Sequence, residues 1–454
     1  MTLTIRNVEV EGRAGLDVRI ADGRIAQIGR RLAACADEID GRGGALIPGL
    51  CDHHIHLFGL AARADSVTLE GVATASRFAA RIAAATAAKP AGAWVRVLGY
   101  HETMAGELTR EALDRLAPRH RLRVQHQTGS LWVLNSLALA ALGEGDDPPG
   151  LERATGRIWR GDAWLRTRIG AAPPPLRPVG ARLARYGVTA LTDASVTTDA
   201  DAAGRLAQAH RAGALPQRLT LMSGGPLDAP PDGAFAVGPV KVLLDDHALI
   251  DLDDFAGRIA GARAQGRRVA VHCVTAAELA LSLAAFGLAG AGPGDRIEHG
   301  GVIPPDAIGE LRALGLTVVT QSAFIHERGD RYAAGVAAED LPDLYRCASL
   351  LAAGVPVAGS SDAPYATPDP WLGIAAAVER RSAGGLAIGV GEAVDAATAL
   401  DLYLDDPAAP GRARRRVAAG EPADLCLLDA PLREVLATPS SERVAATLIA
   451  GRPV

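Results

Sequence analysis

Two histidines one residue apart, His54 and His56, follow an apolar stretch and a Pro48-Gly49 turn. On a strand, residues i and i+2 point to the same side, so both imidazoles project together, which suits two ligands on one metal ion. Further residues of the same chemical kind recur along the chain. Lys241 lies in Val240-Lys241-Val242, His272 ends Val269-Ala270-Val271-His272, His299 ends Arg296-Ile297-Glu298-His299, and Asp362 follows Gly359-Ser360-Ser361. Each stands at or just past the end of an apolar run that reads as a strand. Taken together, four neutral imidazoles, one carboxylate and one lysine form a two-metal site, because a lysine amine can add CO₂ and the resulting carbamate can bridge two cations. Lys241 is one of only two lysines, with Lys89, in a chain whose other basic residues are arginine. Lysine can give up its proton when buried, which arginine cannot. His53 falls on the opposite side of the strand and is expected not to bind metal.

These residues require a frame that delivers strand ends to one place. From Gly49 onward, strand-like runs alternate with helical runs, the pattern of a parallel α/β architecture. Eight candidate strands, 50–57, 188–193, 218–222, 240–244, 268–272, 296–299, 317–321 and 355–360, predict a (β/α)₈ TIM barrel, whose active site sits at the C-terminal ends of its strands. The stretch 58–180 is too long for one crossover and is expected to be an insertion, leaving through the Pro-rich linker 171–178. Alternating runs near both termini, with an Asp22-Gly23 hairpin signal, predict a small β-sandwich built from both ends of the chain. The expected division is 1–48 and 412–454 for the sandwich and 49–411 for the barrel.

Composition narrows the class. The net charge of −5 and the lack of a basic run argue against nucleic acid, the Arg412–Arg416 cluster reading as a solvated face. The Ala-rich segments carry arginine and are too short to span a bilayer, so no membrane association is expected. The start of the chain lacks a basic region followed by an apolar one, so no signal peptide is expected. The five cysteines show no Cys-x-x-Cys spacing, which suits a reducing cytoplasm and argues against thiolate zinc.

Six stretches carry a resemblance: Pro48 to His56, Trp132 to Leu139, Tyr186 to Asp193, Arg296 to His299, Gly359 to Pro364 and Gly420 to Leu425. On these the chain resembles the metal-dependent amidohydrolase superfamily, and within it the bacterial YtcJ-like amidohydrolase family 3, which includes N-substituted formamide deformylases. The resemblance implies that His54 and His56 hold the more buried metal, His272 and His299 the second, and that Asp362 binds metal and serves as general base and acid. It also implies a carboxylated Lys241 as the bridge and two divalent ions, zinc first. The reaction then expected is metal-assisted hydrolysis of a non-peptide C–N bond in a small molecule. A mononuclear zinc deaminase and a lactonase of the same superfamily are the alternatives. Asp52 and Glu298 are candidates to orient the histidines. His101, His126, Trp132, Asn135, Gln321, His326, Arg328 and Arg331 are candidate substrate contacts. Three positions depart from the family pattern: Ser130 replaces a histidine, Arg160 a glutamate, and Ser322 a proline. The ligand set is untouched, while the substrate is expected to differ from that of close relatives. A homo-oligomer is left open.

Overall fold

The computed structural model describes residues 2–170, 174–246 and 249–454. Eight parallel strands form the central sheet, in the spatial order Leu50–Ile55, Val188–Asp193, Arg218–Ser223, Ala236–Val242, Val269–Cys273, Arg296–His299, Thr317–Thr320 and Val357–Gly359. This is the (β/α)₈ barrel. Its strands read as nearly continuous apolar runs because both faces are covered, one by the barrel interior and one by helices. The fourth strand starts earlier than its sequence suggests. Gly238-Pro239 reads as a breaker, yet both lie within Ala236–Val242, where the pairing with the third strand shifts register between Leu221 and Ser223.

The loop after the eighth strand closes the ring onto the first. The Asp362 amide donates to the His54 carbonyl (2.8 Å) and the His56 amide to the Ala363 carbonyl (2.8 Å). Asp52 accepts from the Ser361 amide (3.0 Å) and from its hydroxyl. At the other end, Gly49 lets the chain pass close to the second strand: a Cβ there would lie 2.1 Å from Thr189 Cγ2.

Two four-stranded sheets supplied by both ends of the chain make the sandwich. One orders Arg24–Gly29, Arg13–Ala21, Thr2–Val10 and Asp37–Asp40; the other orders Arg452–Pro453, Val444–Ile449, Leu425–Leu428 and Leu46–Pro48. Leu3, Ile5, Val18 and Ile20 of the first share a core with Leu46, Leu425, Leu427 and Leu448 of the second. The sandwich and barrel form one compact unit, and Phe58–Pro175 forms another.

That second unit is built on a six-stranded sheet, Leu151–Glu152, Arg157–Trp159, Leu131–Leu134, Arg121–His126, Trp94–Tyr100 and Val67–Thr68 in order. Alternation along its strands gives it two faces, one packed with Phe78, Ile82, Val95 and Leu113, the other with Leu98, Trp132, Leu134 and Leu165. Residues 171–173, the start of the expected linker, lie outside the described residues; its end is helical from Arg177.

Candidate metal centre

The ends of four barrel strands and the loop after the eighth strand bring the six residues with metal-ligand chemistry into one interior space. Asp362 Oδ1 lies 3.1 Å from His56 Nε2 and 3.4 Å from His54 Nε2, and Asp362 Oδ2 lies 3.8 Å from His299 Nδ1. The ring of His299 is 4.8 Å from that of His54 and 4.6 Å from that of His272, centroid to centroid. Lys241 is buried, and its charge is felt by His54, His272, His299 and Asp362. His54, His56 and Asp362 offer ligand atoms all within 4.8 Å of one another.

Three buried polar atoms here have no hydrogen-bond partner: His54 Nε2, Lys241 Nζ and Asp362 Oδ1. Buried polar atoms are otherwise almost always paired, so three orphans in one space mark a place built for something else. A cation meets the need of the imidazole nitrogen and the carboxylate oxygen, and of the lysine nitrogen once that has lost its proton, and the donor set fits a divalent metal.

Fixed partners aim the imidazoles. His54 Nδ1 bonds the Glu298 carboxylate, which Arg296 grips through two guanidinium nitrogens (Nη2 at 3.0 Å) while also donating to the His53 carbonyl (2.7 Å). His299 Nδ1 meets Gln321 Oε1 at 2.9 Å, and Gln321 Nε2 donates to Ser360 Oγ, also at 2.9 Å. His56 Nδ1 faces Ser195 Oγ at 3.1 Å. An imidazole whose Nδ1 is held by an acceptor keeps its Nε2 lone pair for a metal. Asp52 acts differently: it accepts the His54 backbone amide (3.2 Å) and ties the Asp362 loop down through Ser361, touching no imidazole ring. His299 (φ 71°) and Asp362 (φ 54°) both sit in the left-handed region, a conformation that costs energy in non-glycine residues and persists where the surroundings enforce it.

Electrostatics favour the ligand forms. Burial drives His54 and His299 well below the ordinary histidine range and His272 down to about 4, so all three are neutral. Burial also lowers Lys241 to about 8. Burial would raise Asp362, but the imidazoles and ammonium around it pull its carboxyl below the usual range. His56 is the exception: burial would lower it, but the carboxylates of Asp362 and Asp193 together outweigh that and raise it.

The expected substrate contacts divide. Asn135 and Trp132 are corrections. Asn135 is fully buried: its Oδ1 accepts from Leu122 and Ala138 and its Nδ2 donates to Ala117 and His120, so its amide is spent on the insertion's own backbone. Trp132 is likewise buried, with its indole N–H on Asp162 (2.9 Å). Gln321 is buried, with its Oε1 on His299 Nδ1. His326 and Arg328 lie on the helix Ala323–Gly335 that follows the seventh strand. Arg328 stacks on Phe324 (4.3 Å) and donates to the Tyr365 carbonyl. Tyr365 escaped sequence reading. Its ring meets His56 edge-on at 5.7 Å and is more than half exposed. Only its place three residues past Asp362 pointed to it.

His101 belongs to a second cluster, in the insertion, with Glu102 and His126. Each histidine Nδ1 accepts the amide of the threonine two residues on, Thr103 or Thr128, at 3.2 Å. That fixes the tautomer and puts the proton on Nε2, and the Nε2 of His126 donates to Glu102 at 3.1 Å. These nitrogens carry hydrogens where a metal needs lone pairs.

Among the described residues, no helix is long and apolar enough to cross a membrane. Comparison with known proteins agrees with the fold. The chain is 25% identical to N-substituted formamide deformylase of Arthrobacter pascens over 94% of its own length and 92% of that protein's. An uncharacterized metal-dependent hydrolase from Pyrococcus furiosus superposes with a TM-score of 0.74 at 20% identity, covering 93% of this chain and 98% of that one. N-isopropylammelide isopropylaminohydrolase from Burkholderia multivorans superposes with a TM-score of 0.56 at 18% identity, over 100% and 98%. The profile of the amidohydrolase family matches residues 37–454 without a break, and the chain is a metal-dependent hydrolase of that family.

Proposed function

We propose that the protein hydrolyses a non-peptide, amide-type C–N bond of a small molecule, using two divalent cations, zinc first, held by His54, His56, His272, His299, Asp362 and a carboxylated Lys241. The observation that carries this reading is the convergence of three unpartnered buried atoms, His54 Nε2, Lys241 Nζ and Asp362 Oδ1. When bound, such cations polarise a carbonyl and lower the pKa of water.

The chain's own residues do the rest. Asp362, held ionised among imidazoles, takes a proton from the attacking water and returns it to the leaving nitrogen. Its two oxygens face different histidines, so the carboxylate stays put while the proton moves. Glu298 and Gln321 keep His54 and His299 in the ligand tautomer. Lys241, with a pKa of about 8, holds a useful fraction of free amine near neutral pH. That amine attacks CO₂, an N–C bond forms, and one proton leaves to solvent. Tyr365 offers a ring at the edge of the site for the apolar part of a substrate.

The relative whose name records N-substituted formamide deformylase puts N-formyl amines first among substrates to try. The test is metal analysis joined to a hydrolysis screen over N-formyl and N-acyl amines, N-acyl amino acids, cyclic imides and lactones. Amine release with two metals per chain supports the proposal. Two metals with no C–N cleavage in any of these sinks the amide reading but not the centre. A second reading, a one-metal deaminase, draws on the tighter grouping of His54, His56 and Asp362 alone. One metal per chain, unchanged in Lys241→Ala, selects it. Turnover of lactones alone selects the lactonase.

A further inference from the structure

The insertion's sheet carries an unusual pair on the face that holds Trp132. Arg96 and Arg123 stand directly opposite one another on neighbouring parallel strands. Like charges in that relation repel. Both are half-buried, and the Nε of each is buried with no hydrogen-bond partner. Among the described residues neither forms an ion pair. Asp162 and Asp65 reach them only by long-range attraction, and Asp162 Oδ1 is already taken by the Trp132 indole. Two other arginines of the insertion do form ion pairs, Arg153 with Asp147 (2.5 Å) and Arg157 with Glu107 (3.1 Å), although the Nε of Arg157 is also unpartnered.

Stacking explains part of this arrangement. The Arg96 and Arg123 guanidinium carbons lie 5.3 and 5.1 Å from the Trp132 ring centre, and Arg123 is also 5.7 Å from Trp94. A cation over an indole uses the face of the guanidinium. Its N–H groups lie in the plane and point outward from the edge, so stacking satisfies none of them. Two such edges, one strand apart, backed by indole rings and with no carboxylate in ion-pair contact, leave N–H groups to offer an oxyanion.

We propose that Arg96 and Arg123, set against Trp132, form a binding site for a small oxyanion, a carboxylate or phosphate group with at least two oxygens. Burial lowers both guanidiniums, Arg123 to about 10 with help from Arg96, and a bound anion would reverse that penalty. The site lies wholly within the insertion and does not depend on the reading of the metal centre.

The test uses the full chain, followed by thermal unfolding and tryptophan fluorescence, in phosphate or succinate against chloride at matched ionic strength. Phosphate, succinate or both should raise the Tm by about 2–4 °C near saturation and change the emission of the indoles. Which of the two acts separates the phosphate from the carboxylate. Arg96→Met and Arg123→Met should each lose that response while leaving the Tm in chloride equal or higher, since each removes a repulsion. A purely structural stack predicts the reverse: a Tm lowered equally with and without the anion, which overturns the proposal. So does an anion response that survives in both variants, or no response beyond chloride in the wild type. If the methionine variants do not fold, Arg96→Lys keeps the charge and removes the fork, and should weaken anion binding at least tenfold.

Discussion

Among the described residues, two groups of histidine and carboxylate have ligand atoms all within 4.8 Å of one another: His54, His56 and Asp362 in the barrel, and His101, Glu102 and His126 in the insertion. In residue type they are near twins. They differ in what the backbone does with the second nitrogen of each ring. In the barrel, Nδ1 of His54 faces a carboxylate, so the proton stays there and Nε2 is left with a bare lone pair. In the insertion, Nδ1 of each ring accepts an amide N–H, so the proton is driven to Nε2, and that of His126 is spent on Glu102. Burial adds to the contrast, since His54 and Asp362 are buried and His56 half-buried, while Glu102 is exposed. A histidine cluster is a metal centre when its lone pairs are left over, and a hydrogen-bond knot when they are not.

That contrast can be broken by substitution. The largest effect is expected at Asp362: Asp362→Ala should cut kcat by about 10²–10⁴-fold in a hydrolysis assay while near-UV circular dichroism stays native. Retained turnover would show that the proton is carried elsewhere. Lys241→Ala should take the metal content from two per chain to one by elemental analysis, and added short carboxylic acids should restore part of it. Unchanged stoichiometry removes the bridge from the proposal. Glu298→Gln keeps the shape but releases the His54 tautomer, and should weaken metal affinity by about 10–100-fold in a chelator competition. An unaltered affinity would mean that the Glu298 bond does not aim His54. The smallest effect belongs to the insertion. His101→Ala removes a helix cap and should cost about 1 kcal/mol in chemical denaturation, with metal content unchanged. Loss of a metal equivalent there would erase the distinction between the two clusters.

Much of the frame is legible from sequence because barrel strands are apolar on both faces and leave short, dense runs. Val188–Asp193 and Arg296–His299 match their sequence-derived bounds, and the others differ by a few residues at their ends. The metal-ligand candidates are legible for a related reason: a polar residue capping an apolar run stands out. What aims those candidates is harder to see. Arg296, Ser195 and Ser361 look like ordinary strand-end residues until the ring closes, and Gln321 reads as a substrate contact because its partner, His299, comes from the neighbouring strand. Asn135 misleads in the same way. Its four hydrogen bonds reach Ala117, His120, Leu122 and Ala138, and only two of the four come from its own turn or the strand paired with its own. The Arg96 and Arg123 pair depends on the parallel register of two strands, which alternation alone does not specify.

The sandwich has a consequence for how the protein is made. The strand Leu46–Pro48 leads directly into His54 and His56, and its sheet partner, Leu425–Leu428, is made only after all eight barrel strands. During synthesis the lead-in to the first barrel strand waits for that partner while the whole barrel is made. The barrel can gather in sequence order, but the stretch that anchors its first two histidines is sealed only once Leu425–Leu428 has emerged. A ribosome stalled short of residue 425 would thus hold a chain carrying every candidate ligand without the closing strand of its frame.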